Sequence, residues 1–156
     1  MVGSLPSAAR FPLAVLASTV GWMVGMSIAF VPAQAILTDP SRQSAKMLAV
    51  FSTLEPLPRI GTPDRMIVLV AVVSVFLVLG YRLSRPDPSQ SWWRRGLRFG
   101  TLAWLLMVPW FELYLPWNVL HEPMPLVVLE AACWWITLTC SGLGIAIAHG
   151  LRKRLP

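Results

Sequence analysis

Residues 109–135 read PWFELYLPWNVLHEPMPLVVLEAACWW, and the reading of this stretch decides the fold. An apolar, tryptophan-rich segment runs to Pro116, a turn without Lys or Arg follows, and a second apolar segment begins at Pro125. The pattern is that of two membrane-spanning helices joined by a short turn. Glu112 and Glu130 lie inside the apolar flanks, and Glu122 lies in the turn beside His121. A carboxyl at hydrocarbon depth is costly, so these acids form the candidate functional corner.

The rest of the chain agrees with a membrane setting. Only 13% of the 156 residues are charged and 56% are hydrophobic, against about 25% charged in soluble domains. The expected architecture is an all-α integral membrane protein, a single domain over 1–156. Four transmembrane helices, at about 11–37, 66–82, 96–115 and 126–150, form the bundle, with a short interfacial helix in the first connection. The net charge of +6 is no argument for nucleic acid. Its 13 basic residues lie between the apolar runs, where they meet anionic headgroups of the bilayer.

In the first run Ala17, Gly21, Gly25, Ala29 and Ala33 recur every fourth residue. Such a ridge of small side chains lets helix backbones approach closely in lipid. Ala33-Gln34-Ala35 imitates a signal-peptidase site, but the apolar run is too long for a signal peptide, and a discarded peptide has no use for a packing ridge. The first helix is therefore expected to be retained. In the connection after it, Asp39-Pro40 reads as a helix start. Met47, Phe51 and Leu54 then repeat at helical spacing, before Pro56 and Pro58 end the segment. This short helix is expected to pack as a loop element at the interface. The sharper alternative is a lid over the acidic corner.

Residues 66–81 are almost wholly apolar and are expected to have the largest share facing lipid. Residues 82–98 read as a short basic connection, with Trp92 and Trp93 in the headgroup zone and Ser91 capping the next helix. Pro109 is expected to kink the third span. In the fourth, Glu130, Cys133, Thr137, Cys140 or Ser141, Gly144 and Ala148 follow helical spacing along one face. A small, polar stripe of this kind turns toward the bundle.

Charge sets the expected topology. Arg10, Arg82, Arg85, Arg94, Arg95, Arg98, Arg152, Lys153 and Arg154 fall on one side of four spans, against Arg42, Lys46, Arg59 and Arg65 on the other. The positive-inside rule then puts both termini in the cytoplasm of a plasma (inner) membrane protein, with the acidic corner facing outward.

The residue types limit the chemistry. His121 and His149, the two histidines, lie toward opposite ends of the fourth span, so they cannot ligate one haem. Cys133 and Cys140 are separated by about 10 Å along one helix and cannot bridge. No catalytic residues are assigned, because no third group orients a cysteine–histidine pair. Glu112, His121, Glu122 and Glu130 offer oxygen and nitrogen ligands for a metal ion, though their spacing matches no metal signature. Trp110 and Trp134 are candidates for an aromatic wall around a cation. Two acids in a dry corner do not both ionise, so the Glu112/Glu130 pair is expected to share a proton, bind a cation, or meet Arg59, Arg65 or Lys46.

Three function classes follow. The first asks least of the sequence: an accessory or structural subunit packing against a membrane-protein partner or a second copy, through the ridge Ala17, Gly21, Gly25, Ala29. The second is a proton- or cation-coupled transporter or ligand-binding membrane protein using Glu112 and Glu130. The third is a metal-dependent membrane enzyme.

Overall fold

In a computed structural model, residues 7–52 and 63–150 are described, and they are helical without a strand. The elements are α1 (Ser7–Leu37), α2 (Ala45–Ser52), α3 (Pro63–Leu83), α4 (Trp92–Glu112), a π-helical segment (Leu113–Val119) and α5 (Met124–Gly150). Among the described residues, four helices are long and apolar enough to cross a membrane: Arg10–Leu37, Arg65–Leu83, Trp92–Val119 and Met124–Gly150. Helix is the form that satisfies every backbone N–H and C=O within one segment, as hydrocarbon demands.

α5 is the centre. α1 packs along one side of it, α4 along another, and α3 packs mainly against α1. The reason lies in small residues on two faces of α5. On the α1 side, a Cβ added to Gly25 would stand 2.6 Å from the Cα of Thr137. One added to Gly21 would strike the carbonyl of Cys140, and one added to Gly144 the carbonyl of Ala17. Backbone therefore lies on backbone along this seam. It is pinned by the buried hydroxyl pair Ser18 and Ser141, 2.7 Å apart, and by the Cys133 thiol donating to the Ala29 carbonyl at 3.5 Å. The α1 ridge is thus occupied within the chain by the small, polar stripe of α5.

The α4 side has a second close seam. Added Cβ atoms would stand 2.7 Å from Leu143 Cα at Gly96, 2.5 Å from Thr139 Cα at Gly100, and 2.5 Å from the Gly96 carbonyl at Gly142. Indole donors lock the same pair of helices: Trp104 Nε1 gives to the Ala131 carbonyl at 2.8 Å, and Trp135 Nε1 to Thr101 Oγ1 at 3.1 Å.

Several boundaries differ from the expectations. α4 begins at Trp92, with Ser91 at the N-cap position in extended backbone but its side chain making no capping bond, so Arg94, Arg95 and Arg98 belong to the helix and not to a connection. Long arginine side chains permit this, because the stem packs while the guanidinium reaches out. At the other end the span does not stop at Pro116. The backbone widens into the π-helical segment, with Leu120 N–H donating to the Leu115 carbonyl at 2.9 Å. Proline would clash with the carbonyl four residues back in an α-helix; the wider π turn relieves that clash, and the chain stays helical to Val119.

The expected helix start at Asp39-Pro40 is also displaced. Asp39 instead accepts from the amide and hydroxyl of Ser41, which hold its carboxyl below the usual range. The first helical turn of α2 is capped by Ser44, whose hydroxyl accepts from Met47 N–H at 3.0 Å. Leu54, Pro56, Pro58 and Arg59, and the tail Arg152–Arg154, lie outside the described residues. α3 leaves Met66, Ile67, Val68, Leu69, Val72, Phe76 and Leu79 exposed. α1 meets α5 through a narrow ridge and leaves Leu16, Val20, Val24, Ile28 and Val31 exposed.

One end of the bundle gathers the basic groups. Arg82 stacks over the Phe11 ring at 4.9 Å, Tyr81 packs edge-on to Phe99 at 5.2 Å, and the His149 ring lies 5.1 Å from Tyr81. The other end holds α2 and the α4–α5 turn.

Candidate functional site

The acidic end is built by three elements meeting. The turn after the π-helical segment is tight, with Glu122 N–H donating to the Pro116 carbonyl at 2.8 Å and His121 in the left-handed region at φ 58°. The start of α2 is tied onto that turn. Ser44 Oγ donates to the Leu120 carbonyl at 2.5 Å, and Lys46 Nζ lies 3.3 Å from the Val119 carbonyl and 3.1 Å from His121 Nε2. An ammonium only donates, so His121 Nε2 is the acceptor. The far end of α1 closes the third side, where the Gln43 side-chain amide donates to the Leu37 carbonyl.

Between them lies a chamber of about 590 Å³, lined by α1 (Met26, Phe30, Gln34, Leu37), by Thr38 and Gln43, by Met47 and Leu48 of α2, and by Glu122 and Glu130. Half of this lining is apolar, and its titratable groups among the described residues are the carboxyls of Glu122 and Glu130. Lys46, next to Met47 in the chain, is turned away toward His121. Glu122 is buried at 5% exposure, and its Oε2 has no hydrogen-bond partner among the described residues. Burial pushes its carboxyl up from the ordinary glutamate range, opposed by the backbone amide of Ser44.

Glu112 lies deeper, at the junction of α4 and the π-helical segment. It is 1% exposed, and among the described residues neither carboxyl oxygen has a hydrogen-bond partner of good geometry. The Trp134 side chain stands beside it as a weakly placed hydrogen-bond donor, and Glu130 is within electrostatic reach. Glu130 is in turn within reach of Glu122. Three carboxyls therefore follow one another from a sealed position in the bundle to the chamber. Trp134 is held in place by edge-on contacts with Phe30 at 4.9 Å and Trp22 at 5.7 Å.

The remaining candidates fall elsewhere. Trp110 is 71% exposed and stacks on Tyr114 at 5.1 Å, away from the acids. His121 is exposed on the turn, outside the chamber lining, while His149 sits in the last turn of α5 with Nδ1 2.9 Å from the Ile145 carbonyl. Among the described residues, no three His, Cys, Asp or Glu side chains converge as a metal site requires. Cys133 and Cys140 are free thiols.

The residues that the sequence reading left out are Gln34, Gln43, Ser44 and Phe30. Gln34 and Phe30 lie one turn apart on α1, a signal legible at i, i+4 spacing. Ser44 three residues before Met47 has the form of an N-cap. No family model, curated protein or solved structure matches this chain.

Proposed function

We propose that this small integral-membrane protein binds a proton or another cation at the linked acids Glu112, Glu130 and Glu122, as a coupled transporter or a ligand-binding membrane protein. The observation that carries the reading is Glu112: a buried carboxyl with no hydrogen-bond partner among the described residues beyond the Trp134 side chain beside it, within reach of an acid that opens into a chamber. Structural acids in a bundle are normally satisfied by hydrogen bonds. A buried acid with so few hydrogen bonds is ready to exchange its proton or to meet a cation. Charge distribution supports both termini in the cytoplasm of the plasma (inner) membrane, with the chamber on the outward side and α2 lying in the interface. The accessory-subunit reading loses its main support, because the ridge Ala17, Gly21, Gly25, Ala29 is covered by α5.

Reconstitution into liposomes tests the proposal. Purified protein should give cation uptake or proton movement that responds to an imposed pH gradient. Glu130→Gln should keep the fold, since the amide mimics a protonated acid, and lose the coupling. If Glu130→Gln and Glu112→Gln both behave as the parent protein in uptake and in proton release on ligand addition, the acids are structural and the proposal fails.

A further inference from the structure

Resting on the cation-binding reading above, we infer that the ligand of the chamber is an organic cation with an apolar body, not a bare metal ion. Size is the first argument. A space of about 590 Å³ lies within the range of small-molecule sites, about 300–1,000 Å³, and far exceeds a dehydrated ion. The second is the donor set. An inorganic divalent ion needs converging ligands, and no three His, Cys, Asp or Glu side chains converge among the described residues.

The third argument is how the polar groups are distributed. Glu130 and Glu122 supply carboxyl groups to meet a cation, and the buried Oε2 of Glu122 is unpartnered among the described residues. Gln43 has its amide N–H engaged by the Leu37 carbonyl, which leaves its amide oxygen as an acceptor. The nearest ammonium, that of Lys46, is held outside by His121 and the Val119 carbonyl. Among the described residues, the chamber thus offers acceptors and carboxyl groups with no basic side chain in its lining.

The fourth is the wall. Phe30, fixed edge-on against Trp134, presents an aromatic surface, and Met26 and Met47 add polarizable, adaptable thioethers. Such walls solvate the hydrocarbon or aromatic part of a ligand while the carboxylates meet its charge. A hydrated metal ion would gain nothing from them.

Binding of radiolabelled tetraphenylphosphonium to the full-length protein in detergent micelles provides the test, with octylammonium, sodium, manganese(II) and the uncharged triphenylphosphine oxide as competitors. Saturable binding is expected, displaced by octylammonium and not by the other three. Glu130→Gln and Glu122→Gln should each weaken it about tenfold or more, the worth of one partly desolvated ion pair. Leu48→Trp, which fills the chamber from α2, should weaken it similarly, while Leu83→Trp at the exposed end of α3, at the basic end of the bundle, should not. Equal binding by the parent protein and both glutamine variants, or displacement by manganese at the potency of octylammonium, overturns the inference. If tetraphenylphosphonium fails to bind while Glu130→Gln still abolishes proton or sodium coupling in liposomes, the ligand class is wrong and the acidic site stands. If both are absent, the two readings fall together. Should Leu48→Trp not fold, the isosteric glutamine variants decide alone.

Discussion

Gly25→Ala is the sharpest perturbation of the α1–α5 seam. The new Cβ would lie 2.6 Å from Thr137 Cα and 3.2 Å from Cys140 Cβ. Carbon atoms rest at about 3.5–4.0 Å, so the two helices must separate by about 1 Å. Neither Thr137 Cα nor the nearby carbonyl of Thr137 can rotate away. Overpacking of this kind costs about 1–3 kcal/mol, and separation also stretches the Ser18–Ser141 pair from 2.7 Å, a hydrogen bond contributing about 1 kcal/mol. Against this, Ala is favoured over Gly within a helix by about 1 kcal/mol. The net expectation is a loss of about 1–3 kcal/mol. Gly80→Ala is the control, because its Cβ would meet the Phe99 ring at 3.7 and 3.8 Å, an ordinary contact. That variant keeps the propensity gain without the clash and should be neutral or more stable by up to about 1 kcal/mol. Unfolding in mixed micelles of mild detergent and dodecyl sulfate, followed by helicity, measures both. Maleimide labelling of Cys140, which lines the seam, should quicken in Gly25→Ala alone. If Gly25→Ala unfolds with the parent protein, or Gly80→Ala loses as much, close backbone approach is not what joins α1 to α5.

Three further outcomes follow from the geometry. Because burial raises the Glu122 carboxyl, the folded state holds its proton to higher pH than the unfolded chain. Stability should then fall as pH rises from the ordinary glutamate value through the raised one. Glu122→Gln should flatten that slope and unfold at a higher temperature at neutral pH, and an unchanged slope in thermal melts counts against the burial argument. Trp104→Phe removes the indole bond to the Ala131 carbonyl and should cost about 1 kcal/mol in the same unfolding assay, against no loss if that bond is made equally well by water. A reporter fused at either terminus should respond from the cytoplasmic side, and the intact mass should retain the first helix; a mature chain starting after Ala35 refutes that topology.

The four spans were legible because apolar run length is itself the physical requirement for crossing a bilayer. The ridge from Ala17 to Ala29 was legible as a packing surface, since small residues at every fourth position line one helix face. Periodicity names a face, however, and not what covers it. Only the tertiary structure assigned that ridge to α5 within the same chain. Gly96 and Gly100 stood at the same four-residue spacing at the start of the expected third span without being read as a packing seam, and the arginines from Arg94 to Arg98 made the first turns of that helix read as a connection. Hydropathy undervalues a helix turn whose charged side chains reach outward. Pro116 read as a stop, because the sequence does not show that the backbone can widen into π geometry around a proline. At the acidic corner the residue types exposed Glu112, Glu122 and Glu130 as costly in hydrocarbon. Their order, from sealed Glu112 through Glu130 to Glu122 at the chamber, depends on where α2 and the far end of α1 dock. Those are contacts between segments distant in the chain, set by complementary shape and hydrogen bonds that local pattern does not encode.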